Sequence, residues 1–189
     1  MKPTVKMAGA LARELGGRRF AQGLAALATA IAPGLLALSH FLSMNAFEPL
    51  FWTGCALLVA RMVKTGDTRL WLWLGVLAGA GLQNKYSMAI FGFGLVAGLL
   101  LTPQRWLLAS RWFWAGGAIA FLIFLPNLAW NLAHGFPFLE LQANIRASGR
   151  NVAMPPLTFF TQEVITMLPL SAPIWLAGLW FLFFRREGR

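Results

Sequence analysis

Residues 70–102 have the sequence LWLWLGVLAGAGLQNKYSMAIFGFGLVAGLLLT, which is apolar except for Gln83-Asn84-Lys85-Tyr86 in its middle. A single helix of this length would be about 50 Å long at 1.5 Å per residue. It would have to tilt well beyond the usual range to fit hydrocarbon about 30 Å thick. Two short helices that turn at Lys85 fit better. The stretch therefore predicts a helical hairpin in a membrane.

The composition of the whole chain agrees with this prediction. Of the 189 residues, 58% are hydrophobic and 12% are charged, whereas a soluble domain carries about 25% charged residues. Soluble enzymes, disordered tails and collagen-like rods are thereby excluded. We predict an all-α, polytopic transmembrane bundle of about six spans, the other four lying at 20–39, 46–60, 112–133 and 164–184.

The basic residues predict how the spans are oriented. With six spans and both termini in the cytoplasm, 13 of the 16 basic residues lie inside, and Lys85, Arg146 and Arg150 lie outside. A five-span arrangement gives only 10 inside and leaves Lys85 within the bilayer. The positive-inside rule therefore favours six spans. The formal charge of +10 is then mostly a topology signal, and no nucleic-acid partner is implied.

Two stretches are predicted to lie outside the spans. Residues 1–19 form a cytoplasmic lead-in, and residues 134–163 form a long outer-face loop. Within that loop, Phe138, Leu141 and Ile145 are spaced as on one side of an amphipathic helix lying on the membrane.

Two charged residues near predicted outer ends each have two interpretations. Asn45, Glu48 and Pro49 have the spacing of an ordinary helix start, but the Glu48 carboxylate is also suited to bind a metal, a sugar hydroxyl or a cationic group. Lys85 is unfavourable at the outer interface unless it meets an anion. That anion is a phosphate, from lipid headgroups or from a lipid-linked substrate.

The polar residues near the fifth span leave similar alternatives. Asn127, Asn131 and His134 share one helix face, which either lines a polar cavity or makes hydrogen bonds between helices. Arg146 and Arg150 are either solvated charges or contacts for an anionic substrate. No residues have the spacing of metal ligands, so a divalent metal has no support and the cofactor stays unassigned.

Five segments occur in a characteristic order along the chain. They are ARELGGRRFAQGLAAL at 12–27, FLSMNAFEPLFW at 41–52, GAGLQNKYSM at 79–88, FLPNLAWNLAHGFP at 124–137 and NIRASGRNV at 144–152. Together they resemble the GT-C membrane glycosyltransferases of the protein O-mannosyltransferase, aminoarabinose transferase and Rgt-like type.

The resemblance implies a multi-pass protein of the bacterial inner (plasma) membrane. Its activity would be the transfer of a sugar from a polyprenyl-phosphate carrier to an acceptor at the outer face. The acceptor would be a glycan, a lipid or a protein. The substrate-binding residues that the resemblance implies are Glu48, Lys85, Tyr86, His134, Arg146 and Arg150.

The same resemblance implies that no catalytic residue lies in this chain. The family's acidic base belongs to the first outer loop, whereas this sequence opens on a match to the cytoplasmic end of a later span. We therefore expect residues 1–189 to be a single membrane domain, the C-terminal part of a larger module whose base lies upstream of Met1. The alternative is a non-catalytic polytopic membrane protein, transporter-like or a scaffold.

Overall fold

A computed structural model describes residues 1–149 and 154–184, apart from the side chain of Leu182. Within these residues every regular element is helical, which confirms the predicted all-α class. Short 3-10 helices lie at Pro103–Ala109 and Pro169–Ser171. The α-helices are α1 (Lys2–Glu14), α2 (Arg19–Ile31), α3 (Pro33–His40), α4 (Met44–Thr65), α5 (Leu70–Asn84), α6 (Ser87–Leu100), α7 (Arg111–Ala133), α8 (Pro137–Ala147), α9 (Pro156–Thr166) and α10 (Ala172–Phe184).

By length and composition, two to five candidate membrane spans occur in the described residues. Helices α4 and α7, with 22 and 23 residues, are each long and apolar enough to cross a membrane. Three further spans are possible if bent pairs of helices count as one, at α2–α3, at α6 with the 3-10 helix after it, and at α9–α10. Helix α5 has 15 residues and is about 22 Å long, shorter than the hydrocarbon layer. Six spans therefore stay a prediction.

The break predicted in the middle of 70–102 is confirmed. Helix α5 ends at Asn84, Lys85 is extended with φ −162° and ψ 137°, and α6 begins at Ser87. The indole nitrogen of Trp71, at the start of α5, donates to the carbonyl of Leu107 at 3.1 Å. Since Leu107 follows α6, that helix returns the chain to the end of the bundle where α5 began.

Glycines allow α5 and α7 to pack closely side by side. A Cβ atom added to Gly75 would overlap the backbone of Gly116, and one added to Gly116 would overlap the carbonyl of Trp71. A Cβ atom on Gly79 would lie 2.8 Å from Cβ of Ile123. Small residues at such contacts are typical of helix pairs in membranes. The packing fixes α7 alongside α5, and so places the second half of α7 near Lys85.

Helix α4 is longer than the sequence indicated. The predicted span ended at residue 60 and was followed by a polar loop, but the helix continues to Thr65 and stops at Gly66, whose φ is +73°. Arg61 and Lys64 lie in this additional stretch of helix, and both contact the Glu14 carboxylate, each at 3.3 Å. Glycine in the left-handed region is a common helix stop.

The two ends of the chain also differ from the simple pattern. The segment 1–19, predicted to be a lead-in, contains α1, which packs against α2 and α4. The last predicted span, 164–184, is interrupted instead: α9 and the helix after it meet at 91°. Leu168 at the bend has φ +69°, and Pro169 follows it, so a straight helix cannot continue.

Candidate functional site

Glu48 and Lys85 form an ion pair where the start of α4 meets the α5–α6 turn. Nζ of Lys85 lies 2.9 Å from Oε2 of Glu48 and 2.9 Å from Oδ1 of Asn45. The hydroxyl of Ser87 donates to the other carboxylate oxygen, Oε1. The side chains of Lys85 and Glu48 are 35% and 18% exposed. Both carboxylate oxygens are therefore bound, and the lysine charge is neutralised at a partly exposed position.

Two amide side chains hold this turn in place. Nδ2 of Asn84 donates to the backbone carbonyl of Met44 at 2.8 Å, and Nε2 of Gln83 donates to the carbonyl of Ile123 at 2.5 Å. The first bond fixes the turn to α4, and the second fixes it to α7. The backbone of Lys85 is extended. Helices α4, α5 and α7 together therefore position its ammonium group over the first turns of α4.

The helix-start interpretation of Asn45 and Glu48 is wrong in its details. With Asn45 as N-cap the helix would begin at residue 46, but α4 begins two residues earlier, at Met44, with Ser43 as its N-cap residue and no side-chain cap. Asn45 and Glu48 are three positions apart and share one helix face, and both contact Lys85. The sequence left a metal, a sugar hydroxyl or a cationic group as ligands of the Glu48 carboxylate. In this structure the carboxylate contacts a cationic group, the ammonium group of Lys85.

A second polar group lies on the α7 side of the turn. The hydroxyl of Tyr86 donates to Oδ1 of Asn127 at 2.7 Å, and Nδ2 of Asn131 lies 3.0 Å from both Oδ1 of Asn127 and the Tyr86 oxygen. The two asparagines therefore make hydrogen bonds to another element, as one of the two alternatives expected. They also lie in the lining of a cavity of about 210 Å³, but this cavity is mostly apolar and His134 does not line it.

This cavity has mostly aromatic walls. The ring of Tyr86 makes edge contacts with Phe138 and Phe124, at centroid distances of 4.4 Å and 5.9 Å. Phe136, also in the wall, has φ +58°, a backbone conformation that bulky residues rarely adopt. Phe138 was predicted as part of the amphipathic helix lying on the membrane, but it lines this cavity instead. Phe124 and Phe136 were not predicted, since an aromatic residue in a membrane protein is as a rule a core or lipid contact.

The remaining predicted site residues are not gathered at the ion pair. His134 stacks on Trp130 at a centroid distance of 4.4 Å, and its Nδ1 lies 2.8 Å from the carbonyl of the same residue. Arg146 is exposed on α8. Neither contacts Glu48 or Lys85 among the described residues. Arg150 lies outside the described residues.

The chemistry open to the ion pair follows from its geometry. There is no water-sized space between Glu48, Lys85 and the residues around them, so a ligand must approach from the exposed side of Lys85. Two of the three ammonium protons are directed to Glu48 and Asn45, which leaves one for an anion. No group of three potential metal ligands occurs within residues 1–149 and 154–184.

The long apolar helices are those of an integral membrane protein. The ion pair and the polar network lie near helix ends and form a polar site at one end of the bundle. Residues 5–130 match the family model of the dolichyl-phosphate-mannose-protein mannosyltransferases. The match covers two thirds of the chain, and the chain therefore belongs to this family, which consists of membrane glycosyltransferases of the GT-C type. No curated protein and no solved structure is significantly similar to it.

Proposed function

We propose that this chain serves the transfer of a sugar from a polyprenyl-phosphate donor to an acceptor at the outer face of the membrane, with Lys85 contacting the donor phosphate. The observation that carries the proposal is the partly exposed Lys85 ammonium, held at 2.9 Å by Glu48 and Asn45 in a family of membrane glycosyltransferases. A lysine fixed at a helix turn is suited to bind a phosphate as a point charge.

In such a transfer the acceptor oxygen attacks the anomeric carbon while the bond from that carbon to the phosphate oxygen breaks. The electron pair of the broken bond stays on the phosphate, and the acceptor proton passes to a general base. Lys85 would stabilise the charge that develops on the leaving phosphate. Glu48 would act as a positioning residue, because it holds the ammonium group and limits the positive charge left when no donor is bound.

The six-span topology supports an outer-face site. The start of α4, the α5–α6 turn and the second half of α7 meet at one end of the bundle. In the predicted six-span topology, thirteen of the sixteen basic residues fall on the opposite side, which favours the outside for the site end. Multi-pass insertion in a bacterial plasma membrane, membrane lipid as surroundings and a glycan, lipid or protein acceptor complete the proposal.

Binding of dolichyl phosphate tests the role of Lys85 without requiring the sugar to be known. The full chain in lipid nanodiscs is compared with its Lys85→Gln and Lys85→Arg variants. We expect Lys85→Gln to weaken binding by roughly ten- to hundredfold, since a charge-assisted hydrogen bond contributes about 1.5–3 kcal/mol, and Lys85→Arg to retain most of it.

The matched control is Lys64→Gln, which breaks the lysine–glutamate pair at the other end of α4 and should leave binding unchanged. Equal affinities of the wild-type and Lys85→Gln chains would refute the phosphate assignment. A correctly folded wild-type chain that binds no prenyl phosphate would favour the non-catalytic alternative.

A further inference from the structure

A second cavity, of about 360 Å³, lies between α1 and the first two turns of α2 and shares no residue with the site around Lys85. Its lining contains two cationic side chains, Lys6 and Arg13, and the amide of Gln22. The other lining residues are small or apolar: Val5, Gly9, Ala10 and Ala26. No acidic residue of the described chain lines it. The cavity is therefore positively charged.

The two cations of this cavity share one face of α1, because they are seven residues apart and seven residues make about two helical turns. Arg13 is 57% exposed, and its guanidinium group lies 3.7 Å from the Glu14 carboxylate. That carboxylate already has closer contacts, at 3.3 Å, with two cations of α4. Lys6 is exposed, and its side chain has no ion pair or hydrogen bond within residues 1–149 and 154–184. At least the charge of Lys6 is therefore unbalanced.

This unbalanced charge lies beside the middle of α4. Helix α1 runs along α4: a Cβ atom on Gly54 would lie 3.5 Å from the methyl group of Met7, and Glu14 contacts the last turns of α4. Because α4 is long enough to cross a membrane, Lys6 lies at a depth within the span. An ammonium group there is unfavourable unless it reaches the interface or meets an anion. A negatively charged ligand would therefore stabilise α1 in its position.

The surroundings of the cavity favour a lipid phosphate as that anion. Arg18 and Arg19, at the turn into α2, are both exposed and attract anionic lipid to this end of the cavity. Basic pockets between membrane helices bind such headgroups. Lys6 and Arg13 have long, flexible side chains, so both can reach one phosphate between them. A carboxylate of a partner helix matches less well, since its short side chain would meet only one of the two cations.

We propose that the cavity between α1 and α2 binds the phosphate headgroup of an anionic phospholipid. Lys6 and Arg13 contact the phosphate, and one acyl chain lies against Gly9 and Ala10, whose small side chains leave room for it. The lipid balances the charge of Lys6 and holds α1 to α2. The site is separate from the one assigned to the donor carrier, and it does not depend on the proposed function.

Retention of lipid by the purified full chain tests this site. The chain in detergent is incubated with equal amounts of phosphatidylglycerol and phosphatidylcholine, and native mass spectrometry counts the molecules bound. We expect the wild-type chain to prefer phosphatidylglycerol by roughly tenfold. The double variant Lys6→Gln/Arg13→Gln should lose this preference. The matched control Arg105→Gln/Arg111→Gln removes two exposed cations outside the cavity and should keep it.

Thermal stability distinguishes a lipid site from a purely structural role of the lysine. Lys6→Leu removes the unbalanced charge, so it should raise the thermal midpoint of the chain in phosphatidylcholine nanodiscs. Phosphatidylglycerol nanodiscs should raise the midpoint of the wild-type chain by several degrees and change that of Lys6→Leu much less. Inorganic phosphate added to phosphatidylcholine nanodiscs supplies the same anion without the lipid and should have no such effect.

Three results would overturn the proposal. Equal retention of the two lipids by the wild-type chain would do so, and would leave a carboxylate of a partner helix as the counter-charge for Lys6. An equal loss of preference in the control variant would show a general attraction between basic residues and anionic lipid instead of a site. A midpoint that rises as much with inorganic phosphate as with phosphatidylglycerol would refute the lipid as the source of the phosphate.

Discussion

Lys85 and Glu48 are each unfavourable alone near the hydrocarbon layer, and pairing them removes much of that penalty. Removing one partner of such a pair leaves the other charge uncompensated. This destabilises a protein more than replacing both residues by apolar ones. A phosphate that approaches Lys85 from its exposed side meets an ammonium group already held by two oxygens. The pair therefore stabilises the turn without a ligand and preorganises the cation for one.

Glu14 is the second acidic residue that fixes one helix to another, and its pairing should make stability depend on pH. Its carboxylate, 8% exposed, lies 3.3 Å from both Arg61 and Lys64. The hydrogen bond from Lys64 and the nearby positive charges lower the pKa of Glu14 from its ordinary value of 4.5. The folded chain therefore binds fewer protons here than the unfolded chain does.

The stabilisation from Glu14 is fully present above about pH 4.5 and is lost as the pH falls through the lower pKa of the folded state. We expect Glu14→Gln to lower the thermal midpoint at pH 7 and to flatten its decline between pH 5 and roughly pH 3. Thermal unfolding in detergent, followed by circular dichroism, measures both effects. Glu140→Gln, at an exposed acid of α8, is the control; identical pH profiles for the two variants would contradict the assignment.

At the scale of elements, the contact between α5 and α7 determines where the site residues of α7 lie. A Cβ atom on Gly116 would overlap the Trp71 carbonyl, whereas one on Gly117 meets no atom within 4 Å. We expect Gly116→Ala to destabilise the chain by about 1–3 kcal/mol, because the helices must separate. Gly117→Ala should be neutral or stabilising, since alanine favours helix by up to about 1 kcal/mol over glycine.

Unfolding of the two glycine variants in an SDS titration, monitored by circular dichroism, makes this comparison. Because Gln83 bonds to Ile123 across the same helix pair, Gly116→Ala should also weaken binding of dolichyl phosphate at Lys85. Equal stability of the two variants would show that α5 and α7 do not pack closely at Gly116.

The elements differ in how well the sequence predicted them. The apolar runs and the polar break at Lys85 are local features of the sequence, so the hairpin could be predicted from them. Helix α9 could not, because most of it lies in the stretch 134–163 that was assigned to the outer-face loop. The extension of α4 to Thr65 was not predicted either; it brings Lys64 to Glu14, which is 50 residues away in sequence, and no local pattern reports such a contact.

The same limit applies to the site. Glu48, Lys85 and Tyr86 stood out because polar residues are rare near predicted outer ends. Their partners lie about 40 residues away, and no local spacing reports such pairs. The spacing of Asn45, Glu48 and Pro49 is typical of a helix start, but the side-chain oxygen of Asn45 accepts a hydrogen bond from the Lys85 ammonium group instead.

At the scale of the whole molecule, polar chemistry divides between the two ends of the bundle. One end holds Glu48, Lys85 and the Tyr86 network, where α4, α5 and α7 meet. The other holds Glu14 with Arg61 and Lys64, where α1 and α4 end. Between the two ends the surface is mostly apolar. Only 6% of the 18-residue apolar stretch of α7 is buried inside the protein. Such a surface is suited to lipid.

The sidedness of these ends can be tested with single cysteines. Cys55 is buried and is first replaced by alanine. Ser148 and Ala109 are both exposed. A six-span arrangement places Ser148 outside and Ala109 inside, whereas a five-span arrangement places them on the opposite sides. The basic residues favour six spans. A membrane-impermeant maleimide should therefore label Ser148→Cys in intact cells and Ala109→Cys only after permeabilisation. Thr65→Cys, inside in both arrangements, is the control. Labelling of Ala109→Cys but not Ser148→Cys in intact cells would contradict the six-span topology, and with it the assignment of Lys85 to the outer face.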